Sequence, residues 1–147
     1  MKKDLDYYLK ELEKNKLQYS IEDYSAEVRK LFDFLIDNYE YKLLFDGNES
    51  IGYRHLYSGK NIRINLYFDY RDNFFYFSII RGLETKFPNV KDKINIKTFL
   101  DLAEKYNVGI RLKDLEPDKK QYKDSLKRNA ELLKKYGKNI LKGKEWF

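Results

Sequence analysis

Hydrophobic and polar residues alternate along the middle of the chain with the period of a β-strand. In residues 61–70, one face of an extended chain carries Ile62, Ile64, Leu66 and Phe68, and the other carries Arg63, Asn65, Tyr67 and Asp69. Alternation of this length is typical of a strand with one face in a core. The same reasoning predicts strands over residues 41–45, 51–57 and 74–81.

Short turn-forming segments separate these strands. They are Asp46-Gly47-Asn48, Ser58-Gly59-Lys60 and Arg71-Asp72-Asn73. Connections this short join antiparallel neighbours, and their residue types favour tight turns. Both faces of residues 74–81 are apolar, which predicts that this strand lies inside the sheet. We therefore expect a three- to four-stranded antiparallel meander.

Apolar residues at helical spacing precede the meander. Residues 4–14 form a short amphipathic pattern, and residues 20–38 form a longer one with Asn38 as the expected left-handed terminator. The stripe of the longer helix matches the apolar strand faces in phase. It predicts one core containing Leu31, Leu35, Ile64, Leu66, Phe75 and Phe77.

Helical spacing also follows the meander. A loop over residues 82–92 leads to a third helix that Asn95 is expected to cap. A fourth helix should open at residues 116–118, where Pro occupies the first turn, and end at Gly137. The sequence thus predicts one α+β domain over residues 1–147, with two helices before the sheet and two after it.

Composition narrows the class of protein. Hydrophobic residues make up 42% and charged residues 37%, which is a globular balance. The absence of Cys excludes disulfides and thiolate metal sites. No apolar run reaches membrane-spanning length, and the acidic residues near the N-terminus argue against a signal peptide. We expect a cytoplasmic protein without membrane association.

The net charge of +6 is unevenly distributed along the chain. Residues 1–84 carry 13 basic and 15 acidic residues, a net charge of −2, whereas residues 85–147 carry 17 and 9, a net charge of +8. This asymmetry can indicate an anionic partner, either nucleic acid or an acidic protein surface, but a solvated, Lys-rich helical face is the favoured interpretation.

Two patterns invite comparison with catalytic sites. His55 is the only histidine, and it lies between two tyrosines on a strand, where a packed side chain is the alternative to a ligand or catalytic role. Asp69, Glu84 and Lys86 match the Asp and Glu-x-Lys pattern of restriction-endonuclease-like enzymes, which bind a divalent cation. However, Glu84 follows Gly82, beyond the strand that should carry it, and Asp69 suits a turn.

Nucleic-acid binding would need cations and aromatic platforms. Tyr53, Tyr57, Arg63 and Tyr67 are expected to share a sheet face, and Lys120, Lys123, Lys127 and Lys134 lie along the fourth helix. Together with His55, these residues are the candidates for contact with a ligand or partner. We assign no catalytic residues, metal ligands or cofactor.

Five short segments carry a resemblance to a known group of proteins. They are Leu31-Phe32-Asp33-Phe34-Leu35, Tyr39-Glu40-Tyr41-Lys42-Leu43, Leu56-Tyr57-Ser58, Asp69-Tyr70-Arg71-Asp72 and residues 131–143. The chain resembles small bacterial α+β proteins, some of which are thought to act as immunity proteins of polymorphic toxin systems. The resemblance implies a non-enzymatic protein that binds and neutralises a toxin, and it transfers no site residues.

The leading hypothesis from the sequence is therefore a non-enzymatic binding protein whose partner is another protein. A nucleic-acid-associated protein that uses the basic C-terminal part is one alternative. A metal-dependent nuclease is the other.

Overall fold

A computed structural model of the chain describes residues 5–7, 21–117 and 122–147. Residues 5–7 are helical, and the rest of the helix predicted over residues 4–14 lies outside the described residues. The helices are α1 (Ile21–Phe32), α2 (Phe34–Tyr39), α3 (Phe99–Lys105), α4 (Leu112–Leu115), α5 (Tyr122–Tyr136) and α6 (Lys138–Leu141). The strands are β1 (Lys42–Glu49), β2 (Gly52–Ser58), β3 (Ile62–Asp69), β4 (Phe74–Arg81) and β5 (Ile96–Thr98).

The strands form one antiparallel sheet in the order β1-β2-β3-β4-β5. At its centre, Leu66 of β3 lies opposite His55 of β2 and Phe77 of β4. The predicted α+β class and antiparallel sheet are confirmed, and β4 lies inside the sheet as expected. The predicted number of strands is wrong, because β5 adds a fifth.

Helices cover one face of this sheet and form the core with it. Tyr24, Val28 and Phe32 of α1 are fully buried, and the ring of Phe32 lies 6.3 Å from that of Phe77. Phe99 of α3 also contacts Phe77, with ring centroids 5.6 Å apart. Of the predicted core, Leu35, Ile64, Leu66, Phe75 and Phe77 are buried, and Leu31 is partly buried against them.

The helix predicted over residues 20–38 is divided at Asp33. The Asp33 carboxylate accepts hydrogen bonds from Arg29 Nε and Tyr57 Oη, each at 2.9 Å. The second piece, α2, ends at Tyr39, and Glu40 takes the left-handed conformation with φ of 62°. Asn38 is therefore not the terminator. The hydrogen bond from Tyr57 attaches Asp33, and with it the break in the helix, to β2. The helical spacing of apolar residues in the sequence cannot predict such a tertiary contact.

The third helix begins three residues later than predicted. Thr98 rather than Asn95 caps it, because Thr98 Oγ1 accepts from Asp101 N at 3.1 Å and the Asp101 carboxylate accepts from Thr98 N at 2.8 Å. Asn95 Oδ1 instead accepts from Arg81 Nε at 3.1 Å. The residues between Asn95 and the cap extend as β5.

Two other boundaries differ from the prediction. Asp46-Gly47-Asn48 lies within β1, and the turn into β2 falls at Ser50, whose φ is 56°. The predicted opening of the fourth helix is also misplaced: Glu116 and Pro117 are not helical, and residues 118–121 lie outside the described residues. The helix ends at Tyr136, before Gly137, as expected.

A loop rather than a helix lies over the opposite face of the sheet. Arg63 of β3 donates hydrogen bonds from Nη2 to the carbonyl oxygen of Gly82, at 2.7 Å, and to that of Thr85. The ring of Phe87 lies over the Arg63 guanidinium, 5.0 Å from centroid to Cζ. These contacts hold the segment between β4 and β5, residues 82–95, against the side of the sheet that faces away from the helices.

Candidate functional site

The sheet face that points away from the helices and the loop of residues 82–95 form a groove of about 750 Å³. Its floor is formed by Arg54, Asn65, Tyr67, Tyr76 and Ser78. The loop contributes Phe87, Pro88 and Val90 as a wall, and β5 closes one end. A concave, largely apolar site of this size with a few polar groups is typical of ligand-binding pockets.

Strand alternation forms a row of large side chains across the groove floor. Tyr67 of β3 lies opposite Arg54 of β2 and Tyr76 of β4. Gly52 makes room for this row, because a methyl group at its Cα would lie 2.5 Å from Cζ of Tyr67. The Tyr67 hydroxyl continues past Gly52 and donates to the Glu49 carbonyl oxygen at 2.8 Å.

Arg54 is held rigidly in this floor. Glu49 Oε2 accepts from its Nε at 2.6 Å and lies 2.5 Å from its Nη2, while Nη1 donates to Asn65 Oδ1. The guanidinium lies 4.6 Å from the Tyr67 ring centroid and 5.6 Å from that of Phe87. Only 12% of the Arg54 side chain is exposed. The groove thus contains a positive group whose orientation is set before any ligand binds.

The tyrosines and Arg63 singled out from the sequence do not share one face. Tyr57 lies opposite Ile64, and its side chain is buried in the core. Arg63 lies opposite Ser58 and Tyr67 opposite Arg54, so their side chains lie on the groove side. The predicted common face is wrong, since the turn between β2 and β3 sets a register that pairs odd positions with even ones.

His55 and Tyr53 belong to a polar cluster on the core side. His55 is fully buried, and its Nε2 lies 2.9 Å from Ser25 Oγ and 3.4 Å from Asp46 Oδ1. Asp46 Oδ1 also accepts from Ser25 Oγ, at 3.1 Å, and from the Tyr53 hydroxyl. These contacts join α1 to the first two strands.

The cluster lacks the geometry of a catalytic triad. A triad carboxylate orients histidine through Nδ1, but Asp46 approaches Nε2. Within the described part of the chain, His55 Nδ1 has no hydrogen-bond partner. Burial lowers the pKa of His55 to about 4, so the imidazole is neutral at pH 7. The arrangement of Ser25, His55 and Asp46 therefore stabilises the fold without preparing a nucleophile.

The nuclease-like pattern is not assembled. Asp69 pairs with Phe74 at one end of the β3–β4 hairpin, whereas Glu84 follows Arg81 at the other end. The length of β4 separates them by roughly 25 Å at about 3.3 Å per residue. Asp69 Oδ1 accepts from Asp72 N at 2.9 Å and stabilises the turn. Among residues 5–7, 21–117 and 122–147, no three His, Asp or Glu side chains form a metal-binding group.

The described lysines of α5, which corresponds to the predicted fourth helix, do not line the groove. Lys123, Lys127 and Lys134 are exposed on α5, on the helical side of the sheet, and Lys120 lies outside the described residues. Lys127 Nζ is 4.0 Å from Glu131, and Lys134 Nζ is 5.6 Å from the Phe34 ring centroid. The basic helix and the aromatic sheet face expected for nucleic-acid binding therefore lie on opposite sides of the protein.

A smaller cavity of about 350 Å³ lies beside β4 and adjoins Glu116. Glu116 Oε2 is buried and has no hydrogen-bond partner among the residues described. Burial raises the pKa of this carboxyl group to about 7. Glu116 is consequently a second group, besides His55, whose titration affects the stability of the fold.

Sequence reasoning missed most of the groove. It placed Asn65 and Tyr67 on the side away from the core, but it gave Arg54, Tyr76 and Phe87 no role. One feature of the sequence could have indicated the groove. The predicted loop of residues 82–95 contains several apolar residues between polar ones, although its pattern is that of neither a helix nor a strand.

Comparison with known proteins yields no relative. The chain matches no protein-family model, no curated protein and no solved structure. No helix in the described part of the chain is long and apolar enough to cross a membrane.

Proposed function

We propose that this chain is a non-enzymatic binding protein that holds a segment of a partner protein in the groove. The observation that carries the proposal is the groove itself, an aromatic and apolar channel of about 750 Å³ with Arg54 fixed in its floor. Large apolar surfaces with aromatic and Arg anchors are characteristic of binding hot spots.

The chemistry of the lining supports binding rather than catalysis. Guanidinium, amide, phenol, hydroxyl, ammonium and carboxylate groups line the groove, and its carboxylates accept hydrogen bonds from Arg54 or from backbone nitrogens. They recognise and orient a ligand, whereas a nucleophile with an adjacent general base is the usual requirement for covalent catalysis. The single imidazole of the chain, His55, lies on the other side of the sheet.

The resemblance to immunity proteins gives the proposal its most specific form. In that form, the partner is a toxin encoded beside this chain, and binding in the groove neutralises it. Co-expression with the adjacent gene product should then restore bacterial growth, and a groove variant such as Tyr76→Ala should fail to restore it. Equal protection by Tyr76→Ala would contradict the role of the groove.

A peptide selection tests the binding proposal without knowledge of the partner. A displayed library of random short peptides is selected on the wild-type protein, and the enriched peptides are measured by fluorescence anisotropy. We expect Tyr76→Ala and Val90→Asn to weaken the binding of these peptides at least about tenfold. Truncation of a hot-spot side chain typically costs more than about 1.4 kcal/mol of binding free energy, which corresponds to a factor of ten in Kd.

A matched control separates the groove from general surface effects. Val90 is 80% exposed in the groove wall, and Leu44 is 59% exposed on β1, outside the groove. Leu44→Asn makes the same kind of change as Val90→Asn and should leave binding intact. Enriched peptides whose affinity is insensitive to Tyr76→Ala and Val90→Asn would refute the proposed function.

A further inference from the structure

The hydrogen-bonding groups of the groove are unevenly satisfied. Its formal charges balance, since Glu49, Asp92 and Asp101 face Arg54, Lys93 and Lys97. Asp92 Oδ1 accepts from the backbone nitrogens of residues 94 and 95, at 3.1 and 2.8 Å, and the Asp101 carboxylate accepts from that of residue 98. The acids are therefore occupied within the chain.

The two lysines of the groove differ from these acids. Within the described residues, neither Lys93 nor Lys97 forms an ion pair, and Lys97 Nζ lies 5.9 Å from the centroid of the Phe147 ring. Among the charged groups of the groove, the two ammonium groups are therefore the ones left without a partner of opposite charge. A ligand that brings acceptors with negative charge complements them.

Glu49 shows where such an acceptor binds. Its side chain is 48% exposed at the rim, next to the β1–β2 turn, and its carboxylate reaches the nearly buried guanidinium of Arg54. Because a second carboxylate would keep the nearly buried Arg54 charge paired and would release the half-exposed Glu49 to water, the exchange costs little. The planar fork of Arg54 is suited to carboxylate oxygens.

We propose that the groove takes an acidic segment of its partner, in which an Asp or Glu carboxylate replaces Glu49 on Arg54. An adjacent aromatic or aliphatic side chain of that segment packs against Tyr76 and Val90, and a further acidic group faces Lys93 and Lys97. Glu49 thus acts as an internal competitor. This inference rests on the proposed function, since it specifies the chemistry of the segment that the groove binds.

The test uses the peptides enriched on wild-type protein. We expect them to carry Asp or Glu next to an aromatic or aliphatic residue. Each is synthesised with blocked ends, together with a matched version in which Asn and Gln replace the acids. Affinities are measured for wild type, Glu49→Gln, Arg54→Gln and Lys123→Gln, the last of which removes a positive charge outside the groove.

Glu49→Gln should bind the acidic peptide roughly two- to fivefold more tightly, because the competing charge is lost, and should bind the amide peptide as wild type does. Arg54→Gln should weaken the acidic peptide roughly 10- to 100-fold, and Lys123→Gln should not. A gain of affinity in Glu49→Gln cannot result from misfolding. This variant therefore remains informative even if Arg54→Gln is unstable.

The outcomes separate the two proposals. Groove-dependent peptides that are neutral or basic, or an acidic peptide whose affinity does not rise in Glu49→Gln, would overturn this inference and leave the proposed function standing. A gain in Glu49→Gln for a single-stranded oligonucleotide but not for the acidic peptide would also overturn it. If no enriched peptide depends on the groove, both proposals fail.

Discussion

Truncation of Phe77 tests the assignment of sheet faces on which the groove depends. Phe77 is 4% exposed at the centre of β4, and its ring lies 4.6 Å from that of Phe75 and 5.6 Å from that of Phe99. Helices α1 and α3 pack over it, so little can collapse into the space that Phe77→Ala would leave. Its neighbour Tyr76 points into the groove and is 48% exposed.

Removal of a buried phenyl ring typically lowers the free energy of unfolding by about 3–5 kcal/mol, through lost burial and the cavity left behind. Ring contacts on several sides of Phe77 place the expected cost in the upper half of that range. Tyr76→Ala removes a side chain of similar size from the other face and should cost less than about 1 kcal/mol. The expected difference in unfolding free energy between these two variants is thus larger than the usual error of a urea unfolding measurement.

Equilibrium unfolding in urea, followed by fluorescence of the single tryptophan and by circular dichroism, measures both values. Equal urea sensitivity of the transitions would show that the variants unfold by the same cooperative process. A cost below about 1 kcal/mol for Phe77→Ala, or a larger cost for Tyr76→Ala, would mean that the faces are reversed. The groove described here would then not exist.

Three further predictions concern pH, packing and polyanions. His55 has a folded pKa of about 4 and an ordinary value of 6.5, so it lowers the free energy of unfolding as pH falls through that interval, by up to about 3 kcal/mol. Glu116, with a folded pKa of about 7 and an ordinary value of 4.5, lowers the free energy of unfolding as pH rises between them. Urea unfolding from pH 5 to 7 should therefore show stability rising with pH in Glu116→Gln and falling in His55→Gln; the same slope in both would contradict the assignment. Gly52→Ala should destabilise the protein by about 1–3 kcal/mol and weaken peptide binding, whereas Gly109→Ala, which meets no atom within 4 Å, should do neither. Generic DNA should bind more weakly than about 1 μM at physiological salt, and tighter binding that is lost when the α5 lysines become Gln would favour the nucleic-acid alternative.

Local patterns were sufficient to predict an antiparallel sheet and the core-facing residues of β3 and β4. The alternation in residues 62–68 has the period of a strand, and the structure confirms that Ile64 and Leu66 are buried in the core, but Arg63 and Asn65 on the other face are buried as well. The fifth strand has three residues, too few to show a period. The start of the helix that follows it was nevertheless available from the sequence, since Thr98 and Asp101 have the spacing of a capping box and Asn95 lacks an equivalent partner.

The groove depends on contacts between residues that are distant in sequence. Arg63 holds the loop through the carbonyl groups of Gly82 and Thr85, 19 and 22 positions away. The turn between β2 and β3 decides that Arg54 rather than Tyr53 lies beside Tyr67. Neither effect produces a periodic signal, so the sequence indicated separate polar and aromatic residues without showing which of them meet.

Backbone amide chemical-shift mapping with an enriched peptide tests the central claim most directly. Isotope-labelled protein is titrated with the peptide, and the perturbed signals are located in the sequence. We predict shifts confined to the Glu49 end of β1, to β2, β3, β4 and β5 with the start of α3, and to the loop of residues 82–95, with Arg54, Tyr76 and Val90 among the largest. Shifts concentrated on α1 or on the exposed face of α5, with these residues unchanged, would show that the partner binds elsewhere.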